Sequence, residues 1–238
     1  MRMRFAIIWD FDGVLVFTPH EEAWRRAAEH YGVMDFDHDF YVRYVSGKPR
    51  YEGADNILRL KGIYDKFART PEEKEELLHE FAEFKNEIVN EMFRRKEYRI
   101  NEGAINFLLK AKEAGIKHAL ASASKNAAKL AAQIDVIYMG QKKSLGALFD
   151  VNVSGLAPNK KLVFKMARKE LKRRFPEIDV FLVVEDAPAG IKAAKELGML
   201  TLGYLREAQL DADLVFNDFD ELNLEKIMSL ITSRGVLK

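Results

Sequence analysis

Six short apolar runs punctuate the 238-residue chain: Phe5–Trp9, Lys117–Ala121, Phe149–Val153, Val180–Val184, Met199–Gly203 and Leu214–Phe216. Each has the length of a strand and lacks strict alternation with polar residues, which marks a strand covered on both faces. Between most of them lie stretches of helical period, Gly103–Ala114, Asn126–Ile137, Lys161–Arg174 and Ala187–Leu197. Strands alternating with helices build a parallel sheet, so the expected fold is α/β with a Rossmann-like core.

One interval breaks that alternation. From the first run to Lys117 there are about a hundred residues with no convincing strand, where a crossover needs only a dozen or so. His20–Tyr31 places Trp24, Ala27, Ala28 and Tyr31 on one helical face. Thr70-Pro-Glu-Glu73 reads as a cap, a first-turn proline and a reach-back glutamate opening a long helix. Its stripe is Leu77, Phe81, Phe84, Ile88 and Met92. The spacing predicts a helical insert over 18–97, splitting a core made of 1–17 and 98–238. At about 150 residues per domain the length corresponds to roughly 1.6 domains, and the insert is where the surplus falls.

Composition limits the function classes. Lysine and arginine number 38 against 37 acids, so the net charge of +1 supplies no field to draw nucleic acid or an acidic membrane surface. With no cysteine there is neither a thiolate metal site nor a cysteine nucleophile. The opening apolar run stops at Asp10, short of a signal peptide or membrane span, and a cytoplasmic location is expected.

The acids at strand ends carry the chemical signal. The first run ends in Asp10-Phe-Asp12-Gly13, and ligands of open parallel sheets gather beyond the carboxyl ends of strands. In extended chain, residues two apart face the same way, so Asp10 and Asp12 can share one small site and would repel without a cation between them. The plainer reading is an Asp/Gly-rich turn. An EF-hand is excluded, because Val14 stands where an oxygen ligand is required. The run at Val180–Val184 delivers Glu185 and Asp186 into a loop ahead of Pro188; alone, Asp186 could be a helix cap. Two strands delivering acids to one sheet edge suit a hard divalent ion held by oxygens, with phosphate and water as further ligands.

Anion-binding groups come from the other strand ends. Ser122-Ala-Ser124-Lys125-Asn126 runs from a strand into a helix start, where hydroxyls and backbone N–H groups can hold an anion or simply cap. Lys160 and Lys161 open a helix after Pro158-Asn159, at the positive end of its dipole. Bound phosphate would relieve that conflict. Lys85 interrupts the apolar stripe between Phe81 and Ile88, where it must either snorkel or meet a ligand. His20, four residues before Trp24 on one face, reads first as a packing or capping histidine.

Together, Asp10-Phe-Asp12-Gly13, Ser122, Lys160 and Glu185-Asp186 resemble, in order, the motifs of the haloacid dehalogenase (HAD) superfamily, and the insert falls where one class of that family carries a helical cap. The resemblance implies phosphoryl transfer through an aspartyl phosphate: Asp10 as nucleophile, Asp12 as general acid and base, Ser122 and Lys160 on the phosphoryl oxygens. It also implies magnesium held by Asp10, the Asp12 carbonyl and Asp186, with Glu185 in the coordination shell or just behind it. Within the superfamily, His20-x-x-Ala-Trp24, Gly47-x-x-Arg50, Lys85-Asn86 and Ser122-Ala-Ser-Lys-Asn126 resemble the beta-phosphoglucomutase and sugar-phosphate phosphatase group. There Arg50, Lys85, Ser124, Lys125 and Asn126, with His20, would bind substrate.

Two departures stand out: Phe17 occupies a position where relatives usually carry Asp, and Pro158-Asn-Lys-Lys161 lacks the usual Lys-Pro-x-Pro. Lys160 is preferred over Lys161 because it leaves Val163 and Phe164 for the core. The stretch Asp135–Leu148 exceeds the usual connection and reads as a surface loop. The leading expectation is a magnesium-dependent phosphohydrolase acting on a small phosphorylated metabolite such as a sugar phosphate, as a monomer or small homo-oligomer. The alternatives are a sugar phosphate mutase of the beta-phosphoglucomutase type and, behind both, a nonenzymatic binding module.

Overall fold

The structure is a computed structural model that describes residues 4–206 and 209–235. The chain divides into two compact units, Met1–Phe17 with Arg99–Lys238, and Thr18–Tyr98. Along the chain the elements are β1 (Phe5–Trp9), β2 (Val16–Phe17), α1 (His20–His30), α2 (His38–Tyr44), α3 (Arg50–Leu60), α4 (Ile63–Phe67), α5 (Pro71–Arg94), β3 (Arg99–Ile100), α6 (Glu102–Glu113), β4 (Lys117–Leu120) and α7 (Ala127–Gln133). They continue with β5 (Asp135–Tyr138), β6 (Gln141–Ser144), β7 (Val151–Asn152), α8 (Lys160–Arg174), β8 (Val180–Glu185), α9 (Pro188–Glu196), β9 (Leu200–Tyr204), β10 (Leu214–Phe216) and α10 (Leu224–Ser233).

In the first unit six strands form one parallel sheet in the order β10-β9-β8-β1-β4-β7. The chain fills one side of β1 with β4 and β7, then the other with β8, β9 and β10. β1 therefore lies at the switch point, where the carboxyl ends of diverging crossovers leave a crevice. Successive β1 side chains alternate between two cores. Ala6 and Ile8 join Val163, Phe164, Val183 and Met199 under α8 and α9. On the opposite face Trp9 packs near Phe107 and Phe219, its ring stacked on Phe219 at 6.1 Å. Each such aliphatic or aromatic side chain taken fully out of water contributes about 1.5–3 kcal/mol before conformational entropy is charged against it.

The second unit is helical. α1 and α3 pack on α5, and Trp24, Ala27, Ala28, Ile57, Leu58, Leu77 and Phe81 form its core. α5 begins with a capping box in which Thr70 Oγ1 accepts from Glu73 N–H while Glu73 accepts from Thr70 N–H. Its buried side is Leu77, Phe81, Lys85, Val89 and Met92, whereas Phe84 and Ile88 are only half-buried.

The structure corrects the sequence reading in three places. The helix expected over 126–137 stops at Gln133, and the next residues form β5, which turns at Met139 and Gly140 to pair antiparallel with β6. Met139 and Gly140 have φ of 51° and 74°, the left-handed conformation that a two-residue hairpin turn requires. The supposed surface loop over 135–148 is thus a hairpin followed by a 3-10 turn at Leu145–Leu148. The interval before Lys117 also contains two strands of two residues each, β2 and β3, paired antiparallel.

A candidate active site at the carboxyl end of the sheet

Asp10 follows β1 directly and is 2% exposed. Its Oδ1 lies 2.5 Å from Lys160 Nζ, which also donates to Glu185 Oε2 at 2.9 Å. Glu185 ends β8 and is fully buried; its Oε1 accepts from the backbone N–H groups of Asp186 and Ala187 at 3.2 and 3.1 Å. The contact of Asp10 with Lys160 is ionic, and Oδ1 takes no aligned hydrogen bond. Carboxylate oxygens of Asp10, Glu185 and Asp186 all lie within 4.8 Å of one another. The fourth acid, Asp12, is turned to the serine side, where its Oδ2 accepts from Ser122 Oγ at 3.3 Å.

Two glycines make this convergence possible. A Cβ on Gly190 would come 2.1 Å from Glu185 Oε2, so the first turn of α9 can approach the buried carboxylate only without a side chain. Gly13 has φ of +84°, and a Cβ there would stand 2.0 Å from Asp186 Oδ2. Any larger residue at either place forces the acids apart.

Crowding acids together and burying them shifts their titration. Burial, then the charge of Glu185, raises the Asp10 pKa to about 8 in spite of Lys160. Burial and then Asp10 raise Asp186 to about 6. Glu185 is likewise held above the ordinary carboxylate range, by burial first. Burial alone would depress the Lys160 ammonium, but the two carboxylates beside it outweigh that and raise its pKa. The donor set is all oxygen, carries surplus negative charge and includes a buried oxygen with no aligned donor; these are the properties that fit a hard divalent cation such as magnesium.

The remaining candidates fall into two groups. Ser122, buried after β4, accepts from Ser124 N–H at 3.0 Å, and Ser124 Oγ accepts from Asn126 N–H at 3.3 Å. This run therefore folds into a tight turn of side-chain-to-backbone bonds at the start of α7, with Asn126 buried and Lys125 exposed. Lys161 is exposed on Glu196, which leaves Lys160 as the lysine of that pair beside Asp10. In the second unit Lys85, 5% exposed, has its ammonium 4.6 Å above the Trp24 ring and 3.1 Å from His20 Nδ1. Arg50 donates to Glu83 and to Asn86 Oδ1 at 2.8 and 2.9 Å.

Two neighbours of the site escaped the sequence reading. Arg206 donates to Asp186 Oδ2 at 3.2 Å. Its signal was position alone, just past the end of β9. His118, in β4, is fully buried and accepts on Nδ1 from Trp9 Nε1–H at 3.0 Å, bracing the residue that precedes Asp10. Burial, with Lys112 and Lys117 nearby, depresses its pKa to about 3, so it is neutral.

Acids, one half-buried lysine and a serine turn gathered at the switch point of a parallel sheet form a phosphoryl-transfer constellation, and a family model for haloacid dehalogenase-like hydrolases matches residues 6–198. The chain belongs to that family and is an enzyme working by its aspartate-based phosphoryl-transfer chemistry. It is 60% identical to the crystal structure of an archaeal beta-phosphoglucomutase from the hyperthermophilic Pyrococcus sp. strain ST 04, with a TM-score of 0.86 over 96% of this chain and 99% of that one. A beta-phosphoglucomutase of Clostridium difficile is 28% identical with a TM-score of 0.77, covering 99% of this chain and 100% of that one. The Bacillus subtilis beta-phosphoglucomutase is 30% identical over 92% of both chains. Among the described residues no helix is long and apolar enough to cross a membrane.

Proposed function

We propose that this enzyme is a sugar phosphate mutase of the beta-phosphoglucomutase type, converting an aldose 1-phosphate into its 6-phosphate isomer through an aspartyl phosphate on Asp10. The observation that carries this reading is the 60% identity, over nearly the whole of both chains, to the archaeal beta-phosphoglucomutase. It reverses the order expected from the sequence, in which the phosphohydrolase came first.

In this reading Asp10 attacks phosphorus and becomes the phosphoryl carrier, and the sugar oxygen leaves with a proton from Asp12. The hydrogen bond from Ser122 Oγ to Asp12 Oδ2 fixes the position of that acid and base. Lys160, already bound to Asp10, neutralises charge that develops on the phosphoryl oxygens, and the donors of the Ser122–Asn126 turn hold the same group. Asp10, Asp186 and the Asp12 carbonyl would hold magnesium, with Glu185 beside them. When bound, the ion neutralises the phosphoryl oxygens and keeps Asp10 ionised at neutral pH. Selection of the sugar falls to the second unit's Lys85, His20 and Arg50, and to Ser124, Lys125 and Asn126.

A mutase differs from a hydrolase in what accepts the phosphoryl group: a second sugar hydroxyl rather than water. Incubating the protein with magnesium and a panel of sugar 1-phosphates, and measuring isomer and free phosphate together, tests the reading. Isomer exceeding free phosphate supports the mutase; stoichiometric phosphate with no isomer would overturn it in favour of the hydrolase.

A further inference from the structure

Two cations divide the clustered acids between them. Lys160 takes Asp10 and Glu185, and Arg206 takes Asp186. The second contact is built into the fold. Arg206 Nη1 and Asp186 Oδ2 meet over the bare Cα of Gly13, where a Cβ would stand 2.9 Å from one and 2.0 Å from the other. The guanidinium is also steadied by the Phe17 ring, 4.7 Å from Arg206 Cζ, and that ring in turn lies 3.9 Å from Arg99 Cζ. Phe17 thus contributes a ring and no charge beside the guanidinium.

We propose that Arg206 competes with the divalent cation for Asp186, lowering the site's metal affinity and leaving Asp186 as the cation binds. The inference rests on the metal reading above. A guanidinium on one oxygen of Asp186 and a divalent ion drawn to the same carboxylate repel each other, so binding of the ion favours departure of the arginine. Arg206 is the one to leave: its side chain is 31% exposed and can turn to water, whereas Lys160 is 17% exposed and lies between Asp10 and Glu185. A partly exposed pair of this kind is weak enough for a divalent ion to displace.

Calorimetric titration of the whole chain with magnesium, without substrate, tests the proposal by binding rather than turnover. Arg206→Gln is expected to bind magnesium about three- to tenfold more tightly than the parent, and the gap should narrow as salt is raised. Arg206→Lys, which keeps the charge, should stay within about twofold of the parent. Circular dichroism of each variant in chelator verifies the fold. Unchanged or weaker binding by Arg206→Gln, or equal tightening by both variants, overturns the competition while leaving the metal site standing. If Asp186→Asn binds magnesium as well as the parent, the metal reading itself fails and the competition with it.

Discussion

At the ends of β1 and β8 acids outnumber bases in a crevice, whereas in the second unit Lys85, His20 and Arg50 gather around α5 with Glu83 as the carboxylate on Arg50. Both clusters set charge against burial, but they resolve the conflict differently. In the sheet unit the acids are raised in pKa and lean on Lys160. In the helical unit the buried ammonium lies on an aromatic face and beside an imidazole. In the proposed reading the first arrangement would take a metal cation and the second an anionic substrate, and a net charge of +1 hides both.

The contrast breaks most sharply at the nucleophile. Asp10→Asn keeps shape and removes the attacking charge, so turnover should fall by about 10⁴-fold or more; a rate within tenfold of the parent would end the aspartyl-phosphate mechanism. Lys160→Met comes next. It strands two carboxylates, and we expect turnover to drop about 10²- to 10³-fold and denaturant unfolding to show a loss of about 3 kcal/mol. Retained stability would mean that the acids are neutral without their lysine.

A third test uses His118. Its folded pKa of about 3 lies below the unfolded value near 6.5, so between them the unfolded chain binds more protons. The stability this confers is complete above pH 6.5 and declines as pH falls, by about 1–2 kcal/mol by pH 5. His118→Phe should flatten that slope in urea titrations at pH 5 and 7; an unchanged slope assigns the acid sensitivity elsewhere. The smallest effect belongs to the second unit. Lys85→Met should raise KM for the sugar phosphate about tenfold while kcat changes less than about threefold, because it removes the ammonium beside His20 and over Trp24 and leaves Asp10 and Lys160 untouched. A KM within about twofold of the parent would show that the ammonium is there for packing on Trp24.

What the sequence made legible followed from periodicity and strand-end chemistry. Phe5–Trp9 followed by two acids, and Val180–Val184 followed by two more, are patterns that the parallel sheet turns directly into proximity. The hairpin of β5 and β6 was hidden because Gln141–Ser144 is polar throughout and exposed except at Ser144, without the alternation that betrays a half-buried strand. β2 and β3, with two residues each, carry no period at all. Arg206 was invisible for another reason: one arginine after a strand says nothing until the fold brings Asp186 within reach.

The chain has two tryptophans, and the fold gives one to each unit: Trp9 beside the nucleophile and Trp24 beneath the Lys85 ammonium. Each is therefore a ready optical probe of its own neighbourhood. A variant that keeps only Trp9 would report events at Asp10, and one that keeps only Trp24 would report a ligand arriving at Lys85. Mixed rapidly with a sugar phosphate, the two variants would time separately what happens in each half of the enzyme.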